Sequence, residues 1–252
     1  MLRKTAAVTF TVPRSVRKTI WNLEEIRETW NGRIDRMKLV ILGPPGSGKG
    51  TYSSEIESRL DIEHISTGDL CREAIEEGGE MSEKIKKYYE KGKLVPDKFI
   101  NQMLKEELKE IDMDDFILDG YPRTVEQAKF LDGIIDLDGI IRLDVSDSII
   151  IERLSARRIC KDCGEVYNKL FLKPGEEGIC DECGGELYQR EDDRPEVVKD
   201  RLEKYKKRSK QVLDFYRDKI PFEVLKVEET SLPIDEMVDK ILEKAERKNL
   251  LS

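Results

Sequence analysis

Nine residues, Gly43–Thr51 (GPPGSGKGT), constrain this chain more than any other segment. They fit the phosphate-binding pattern G-x-x-x-x-G-K-[ST], except that Gly50 takes the hydroxyl position and the hydroxyl follows at Thr51. An apolar run precedes the loop and helical spacing follows it. In such a strand–loop–helix unit, backbone N–H groups converge on an anion at the positive end of a helix. Lys49 adds a charge for the outer phosphates, so the segment predicts binding of a nucleoside polyphosphate.

Composition limits the classes of protein to which the chain can belong. Its 252 residues suffice for one large core or two smaller ones, and 39% of them are charged. The net charge of −8 argues against nucleic acid as a partner. No stretch approaches the roughly 20 apolar residues of a transmembrane helix, so we expect no membrane partner. Four of the five cysteines form two CxxC pairs, which indicates metal ligands in a reducing compartment and predicts a cytoplasmic protein.

The first 36 residues differ from the rest in charge. They carry eight Lys/Arg and four Asp/Glu, and residues 1–23 contain no acidic residue. A transit peptide has this composition. Met37 directly precedes the first predicted strand, however, and residues 1–36 are at least as well explained as a flexible tail or an artefact of start assignment. We favour a tail over a targeting signal.

Apolar runs and helical spacing alternate along the rest of the chain. The predicted strands are 38–42, 62–65, 115–118, 139–144 and 222–227. The predicted helices are 51–60, 68–77, 81–91, 97–110, 124–132, 147–157, 195–218 and 233–247. This alternation predicts an α/β fold, a mostly parallel sheet with helices on both faces and ligands at the carboxyl ends of the strands. Residues 158–190 interrupt the pattern as a small insertion with too few apolar residues for a core of its own.

The second strong pattern lies in that insertion. Cys160-x2-Cys163 and Cys180-x2-Cys183 are separated by sixteen residues, the spacing of a four-thiolate zinc site. The only histidine, His64, lies far upstream in a predicted strand. Four thiolates leave no open position on the metal, so we predict a structural zinc ion. A redox dithiol and an iron centre are the alternatives.

Arginines form a third pattern, at the ends of predicted strands and around the insertion. A guanidinium offers paired planar donors and keeps its charge, so several of them near a phosphate loop suggest a cage for several phosphate groups. No Ser/His/Asp or Cys/His arrangement suggests a covalent nucleophile. The predicted chemistry is phosphoryl transfer by positioning and charge neutralisation. The arginines concerned are Arg72, Arg123, Arg153, Arg157, Arg158, Arg190 and Arg201.

Taken in order, several segments resemble the adenylate kinases, in the form with a long, zinc-bearing lid. The segments are GPPGSGKGT, ISTGDLCR, GKLVPD, LDGYPRTVEQ and ARRICKDCG…CDECGGELYQREDD, with Arg201 beyond them. The resemblance covers about Lys38 to Ile241 and leaves residues 1–36 outside. It implies a P-loop core and reversible phosphoryl transfer from ATP with Mg²⁺ to AMP, giving two ADP. A monomer is expected.

The same resemblance assigns roles to individual residues. The ATP contacts would be Gly43, Pro44, Gly46, Ser47, Gly48, Lys49, Gly50, Thr51, Arg153 and Arg157. The AMP contacts would be Thr67, Arg72, Lys93, Leu94, Val95, Gly120, Arg123, Gln127, Arg190 and Arg201. Catalytic charge neutralisation would fall to Lys49, Arg123, Arg157, Arg190 and Arg201. Asp119 would hold magnesium through water, and Asp192 and Asp193 would help the lid to close.

The resemblance also divides the chain. Residues 37–65, 96–155 and 194–252 would form the core, 66–95 a mobile helical flap over AMP, and 156–193 the zinc lid over ATP. Closure of both would keep water from the reaction, a motion for which adenylate kinases are a known example. Two departures concern the ATP base. Asn168 stands where some members have a histidine, and Glu228-Glu229-Thr230 lacks a glycine often found near the adenine.

Three other interpretations remain. A related kinase acting on UMP, CMP or GMP is disfavoured by Thr124 and Gln127, which favour adenine. An inactive nucleotide sensor is disfavoured by the intact Lys49 and the arginines. A nucleic-acid-binding zinc ribbon is disfavoured by the acidic net charge of −8.

Overall fold

Five parallel strands form the central sheet. The structure, a computed structural model, describes residues 37–89, 94–111, 115–229 and 233–247, so the predicted tail lies outside it. The strands are β1 (Lys38–Leu42), β2 (Glu63–Ser66), β3 (Phe116–Asp119), β4 (Gly139–Val145) and β8 (Phe222–Val227), in the order β2-β3-β1-β4-β8. All five predicted strands and the predicted α/β class are confirmed. No predicted strand end is wrong by more than one residue.

Helices follow most strands. They are α1 (Lys49–Leu60), α2 (Thr67–Glu77), α3 (Gly79–Tyr89), α4 (Asp97–Glu110), α5 (Val125–Asp132), α6 (Asp147–Ala156), α7 (Pro195–Tyr216) and α8 (Ile234–Arg247). Ser66, Thr124 and Ser146 cap α2, α5 and α6, each side chain accepting a hydrogen bond from the backbone N–H three residues on. Within the described ranges, no helix is long and apolar enough to cross a membrane.

Side chains of each strand alternate between two cores, one on either face of the sheet. Leu39 and Ile41 point to the face covered by α1 and α8, whereas Val40 and Leu42 point to the face covered by α4 and α5. This is why β1 reads as an unbroken apolar run. The 22-residue helix α7 contributes to both cores, with Val198 and Leu202 on one side and Val212 and Tyr216 on the other.

The insertion has a small sheet of its own. Strands β5 (Arg157–Cys160), β6 (Val166–Asn168) and β7 (Leu187–Tyr188) lie antiparallel in the order β6-β5-β7. A short 3-10 helix, Glu191–Asp193, leads back to α7. The predicted helix 147–157 was therefore one residue too long, because Arg157 begins β5. The buried core of the insertion consists of Cys160, Tyr167, Cys180 and Leu187.

Arg59 ties the last turn of α1 to α8. Its guanidinium is 8% exposed and donates to Glu55 at 2.8 Å, Asp239 at 2.7 Å and Asp235 at 2.5 Å. Burial would lower the pKa of Arg59, but the hydrogen bonds with Glu55 and Asp239 raise it, which keeps the guanidinium charged. This cluster fixes the helix that follows the phosphate loop to the last described helix.

We expect Arg59→Met to lower the free energy of unfolding by about 1–3 kcal/mol, because it removes charge-assisted hydrogen bonds from a buried donor and keeps the apolar stem. Urea-induced unfolding measures the loss. Arg217→Met is the matched control, since Arg217 pairs with Asp214 on the surface and should contribute no more than about 0.5 kcal/mol. Equal losses in the two variants would contradict the role assigned to Arg59.

Candidate active site

The phosphate loop runs from the end of β1 into α1. Gly46 and Gly48 have φ angles of 78° and 94°, which side-chain-bearing residues rarely adopt. A Cβ atom on Gly46 would lie 2.6 Å from Leu154, and one on Gly48 would lie 2.7 Å from Tyr52. The loop therefore needs glycine at both positions, and it presents its backbone at the N-terminus of α1, where an anion is stabilised.

Lys49 begins α1, beside the carboxyl end of β3. Its ammonium group donates to the carbonyl oxygen of Pro44 at 3.1 Å. Burial lowers the pKa of Lys49, Asp119 opposes that effect, and the positive charges of Arg123 and Arg201 lower the pKa further. Positive charge is thus concentrated around this lysine, and a phosphate group placed there would favour its charged form.

Asp119 ends β3 and lies against the phosphate loop. A Cβ atom on Gly50 would lie 3.3 Å from Oδ2 of Asp119, so the carboxylate is close to the loop backbone. Its other oxygen, Oδ1, is buried and has no hydrogen-bond partner among the described residues. A carboxylate oxygen in this position suits a hard cation such as Mg²⁺ or a water molecule bound to one.

Two arginines around the insertion are held by the acidic pair that precedes α7. Arg157 donates to both carboxylate oxygens of Asp193, at 2.8 and 2.6 Å, and that carboxylate is fully buried. Arg201 donates to the side chain of Asp192 at 2.7 Å and to its carbonyl oxygen at 3.1 Å. Burial lowers the pKa of Arg201, Asp192 opposes this, and Arg157 adds to the lowering. Arg190 directly precedes the 3-10 helix that carries both aspartates.

Arg153 connects the phosphate loop to the insertion. Its guanidinium donates to the carbonyl oxygen of Ser47 at 3.1 Å and to that of Glu229 at 3.0 Å. The guanidinium carbon lies 5.9 Å from the ring centroid of Phe171, which is 41% exposed. Sequence reasoning missed Phe171. No local signal sets it apart, because Tyr167 and Tyr188 are aromatic residues of the same insertion.

The segment after β3 meets the start of α2 at Gly120. The carbonyl oxygen of Gly120 accepts from the hydroxyl of Thr67 at 3.0 Å and from Nε of Arg123 at 2.5 Å. Arg72, one turn further along α2, pairs with Asp69. The structure therefore brings Thr67, Gly120 and Arg123 together next to Asp119.

A polar cluster around the buried Gln127 holds the segment that follows β3. Oε1 of Gln127 accepts from the backbone N–H of Arg123 at 2.7 Å, and its Nε2 donates to Asp97 at 2.7 Å. The other oxygen of Asp97 accepts from the hydroxyl of Thr124 at 2.8 Å. Asp97 was not predicted, because it belongs to a helix start thirty residues before Gln127. Leu94 and Val95 lie just before this helix, while Lys93 is outside the described residues.

The four predicted metal ligands meet at one point. The Sγ atoms of Cys160 and Cys183 are 3.4 Å apart, those of Cys163 and Cys180 are 3.6 Å apart, and all four lie within 4.8 Å of one another. Zinc–sulfur bonds of about 2.3 Å place the sulfurs of a tetrahedral site roughly 3.8 Å apart, so the cluster fits a zinc ion. His64 lies in β2 and takes no part.

The two CxxC segments share one backbone design. The N–H group of Gly164 donates to the carbonyl of Cys160 at 3.2 Å, and that of Gly184 donates to Cys180 at 2.9 Å. The backbone N–H of Cys160 and of Cys180 each bond at 2.9 Å to the carbonyl oxygen five residues on. Two matching turns therefore present their thiols towards each other.

Known proteins match most of this chain in sequence. The family profile described as adenylate kinase matches residues 41–220. The chain belongs to the adenylate kinase family. The adenylate kinase of Thermosipho melanesiensis is 45% identical over 212 residues, which cover 82% of this chain and 98% of that protein. The adenylate kinases of Caldicellulosiruptor bescii and Methanocella arvoryzae are each 44% identical over 189 residues, 73% of this chain and 88% of theirs.

Membership of the adenylate kinase family confirms the resemblance drawn from the motifs. The chain is an ATP-dependent nucleoside monophosphate kinase, a nucleotide-binding transferase that uses Mg²⁺ with ATP. The insertion of this adenylate kinase family member carries a four-cysteine site that can hold one structural zinc ion.

We expect the purified protein to contain one zinc ion per chain, measured by elemental analysis. A chelator or Cys180→Ser should lower the melting temperature, because the hydrophobic cluster of the insertion has only four buried residues and a thiolate site supplies folding free energy directly. The remaining folded enzyme should keep substantial activity at low temperature. Cys71→Ser is the control for metal content: Cys71 lies in α2 and outside the cluster, so this variant should still contain one zinc ion per chain.

Two results would contradict this assignment. One is a folded protein without stoichiometric metal. The other is an immediate loss of activity on chelation with no change in structure, which would give the metal a catalytic role.

Proposed function

We propose that this family member is an adenylate kinase in the strict sense, catalysing ATP + AMP ⇌ 2 ADP. The observation that carries the proposal is the set of positive groups around the end of β3. Arg123 bonds to the carbonyl oxygen of Gly120, next to Asp119, and Arg157 and Arg201 are held by Asp193 and Asp192. The charges of all three arginines lower the pKa of Lys49. A phosphoryl group in transfer spreads negative charge over its oxygens, and fixed cations around it lower the barrier.

On the donor side, Lys49 and the loop 43–51 bind the phosphates of ATP, with Arg153 and Arg157 reaching them from α6 and β5. Asp119 holds Mg²⁺ through water, and the ion neutralises charge on the phosphate chain. The orphaned Oδ1 atom of Asp119 supports this role. Arg157 and Arg201 are balanced by Asp193 and Asp192, which keeps them in position near the loop.

On the acceptor side, Thr67, Arg72, Leu94, Val95 and the segment from Gly120 to Gln127 bind AMP, and Arg123, Arg190 and Arg201 contact its phosphate. Gln127 supports a choice of adenine. Its amide donates one N–H to Asp97 and accepts one hydrogen bond from the backbone N–H of Arg123. One donor and one acceptor of the amide are left for the edge of a base. Adenine offers a matching donor and acceptor side by side.

Two segments act as flaps in this proposal, 66–95 over AMP and 156–193 over ATP, around a core of 37–65, 96–155 and 194–252. Water competes with AMP for the phosphoryl group, so both must cover the site during transfer. Asp192 and Asp193 help the lid to close, and zinc keeps a flap with a small core rigid. We also propose that the enzyme works as a cytoplasmic monomer on ATP, AMP and ADP.

Acceptor choice tests the proposal directly. With ATP and Mg²⁺ as donor, AMP should be phosphorylated at least tenfold faster than CMP, UMP or GMP, because Gln127 and Thr124 are set for adenine. A coupled assay of ADP formation measures all four rates. Comparable turnover with CMP or UMP would make the protein a kinase of another base, and no turnover with any of them would make it a sensor.

The charge cluster gives a second test. Lys49→Ala and Arg123→Ala should each lower kcat by about 100-fold or more, because fixed cations of this kind contribute several kcal/mol to the transition state. The fold should stay intact, as neither side chain belongs to a core. Lys129→Ala, an exposed residue of α5, is the matched control and should keep normal kcat. Near-normal turnover in a folded Lys49 or Arg123 variant would show that the phosphate cage is wrongly assigned.

A further inference from the structure

A cavity lies between the carboxyl end of β4 and helix α7. Its volume is about 290 Å³, near the lower end of the range for small-molecule sites. The residues that line it come from the segment 142–147, from α7 with its C-cap Arg217, and from the phosphate loop at Pro44. Of the described residues that line the cavity, Pro44 alone is among the predicted nucleotide contacts. The cavity is therefore separate from the sites assigned to ATP and AMP.

Two polar atoms beneath the surface of this cavity have no hydrogen-bond partner among the described residues. They are Nε of Arg142 and the hydroxyl oxygen of Tyr205. Burial raises the pKa of Tyr205 and the charge of Arg142 lowers it, so the two side chains are close to each other. Both groups can donate a hydrogen bond, and a buried donor without an acceptor destabilises the folded state. An acceptor that enters the cavity would satisfy both donors.

The guanidinium group of Arg142 is held only weakly in its present position. Its hydrogen bond to Oδ1 of Asp144 is 3.4 Å long, and its side chain is 32% exposed. A bond of this length is weak compared with the usual 2.7–3.2 Å. Little is therefore lost if the side chain turns and brings Nε to the surface of the cavity.

The walls of the cavity carry more positive than negative charge. Three ion pairs balance one another: Arg142 with Asp144 at 3.4 Å, Lys206 with Asp147 at 2.5 Å and Arg217 with Asp214 at 2.6 Å. Lys210 also lines the cavity, and it pairs with no carboxylate among the described residues. One positive charge is thus in excess here, on a protein whose net charge is −8. Such a site favours an anion.

We propose that this cavity binds a small oxyanion, a phosphate ester or a carboxylate on a short carbon skeleton, at the same time as the nucleotides. Arg142 and Tyr205 donate hydrogen bonds to the oxyanion, and Lys210 balances its charge. The carbon atoms contact the apolar side chains of the walls, which are Val145, Leu202 and Leu213. The inference goes beyond the proposed function, because none of these side chains is assigned to ATP or AMP.

Titration calorimetry on protein saturated with ADP separates this cavity from the nucleotide sites. In Mg²⁺-free buffer, ADP should fill the donor and acceptor sites without turnover. Glycerol phosphate and succinate then represent the two sources of the oxyanion, and glycerol is the uncharged control. We expect one molecule of at least one anion to bind per chain, more weakly as ionic strength rises, and glycerol not to bind. The anion that binds more tightly identifies the source.

Two variants connect this binding to the cavity. Tyr205→Phe removes the hydroxyl group and should weaken binding of that anion about tenfold, because a hydrogen bond to a charged acceptor is lost. Its melting temperature without ligand should not fall, since the hydroxyl has no partner among the described residues. Lys210→Gln should weaken binding about threefold at low ionic strength. Because Lys210 is exposed, this variant keeps the test valid even if Tyr205→Phe folds poorly.

Each variant has a matched control outside the cavity. Tyr188→Phe removes the hydroxyl of a 38% exposed tyrosine of the insertion. Lys207→Gln removes an exposed positive charge of α7 that does not line the cavity. Both should bind the anion as wild type does.

Three results would overturn the inference. The first is that neither anion binds to the ADP-saturated protein. The second is that folded Tyr205→Phe and Lys210→Gln proteins bind the anion as tightly as wild type. The third is an equal loss of affinity in the variants and their matched controls. A wild-type protein that binds fewer than two ADP molecules would instead contradict the proposed function, so the two failures are distinguishable.

Discussion

The pairing of β1 with β3 is the constraint on which the site depends. In that register Ile41 lies opposite Asp119, so the phosphate loop leaves its strand next to the carboxylate that ends the neighbouring strand. Lys49 then starts α1 within reach of Asp119. A shift of one residue would turn Asp119 to the other face of the sheet and bury an unpaired charge in the second core. The hydrophobic alternation of the strands thus also sets the position of the charged groups.

The positive side chains around Lys49 repel one another, which lowers the stability of the folded state. Carboxylates paired with two of the arginines offset this repulsion. Asp193 is fully buried and binds Arg157 through both oxygens, and Asp192 binds Arg201. Removing one partner of such a pair leaves a desolvated charge, which costs far more than an exposed pair contributes. These carboxylates also fix the directions of the guanidinium groups, and electrostatic catalysis requires groups that are oriented before the substrate arrives.

Local signals predicted most of the fold and the ligand set. Strands buried on both faces and the two CxxC segments are patterns of neighbouring residues, and the motifs sufficed to identify the family. What the sequence could not supply are contacts between distant segments. Arg59 meets Asp235 across 176 residues, and Asp97 meets Gln127 across 30. The strands of the insertion are two to four residues long and too short for periodicity to show. Phe171 faces Arg153, which belongs to another element, and no local pattern predicts that contact.

Helix α7 has a mechanical consequence for the insertion. At 1.5 Å per residue its 22 residues span about 33 Å, and its two halves are packed into cores on opposite faces of the sheet. A helix that is packed at both ends cannot rotate relative to the sheet, so the insertion is attached to a fixed element. In the lid closure proposed above, rotation about backbone bonds falls outside this helix, at Arg157, where α6 ends, and at Arg194, where α7 begins. Both residues have extended backbone angles and separate regular elements, so the proposed closure would turn the insertion about the line that joins them.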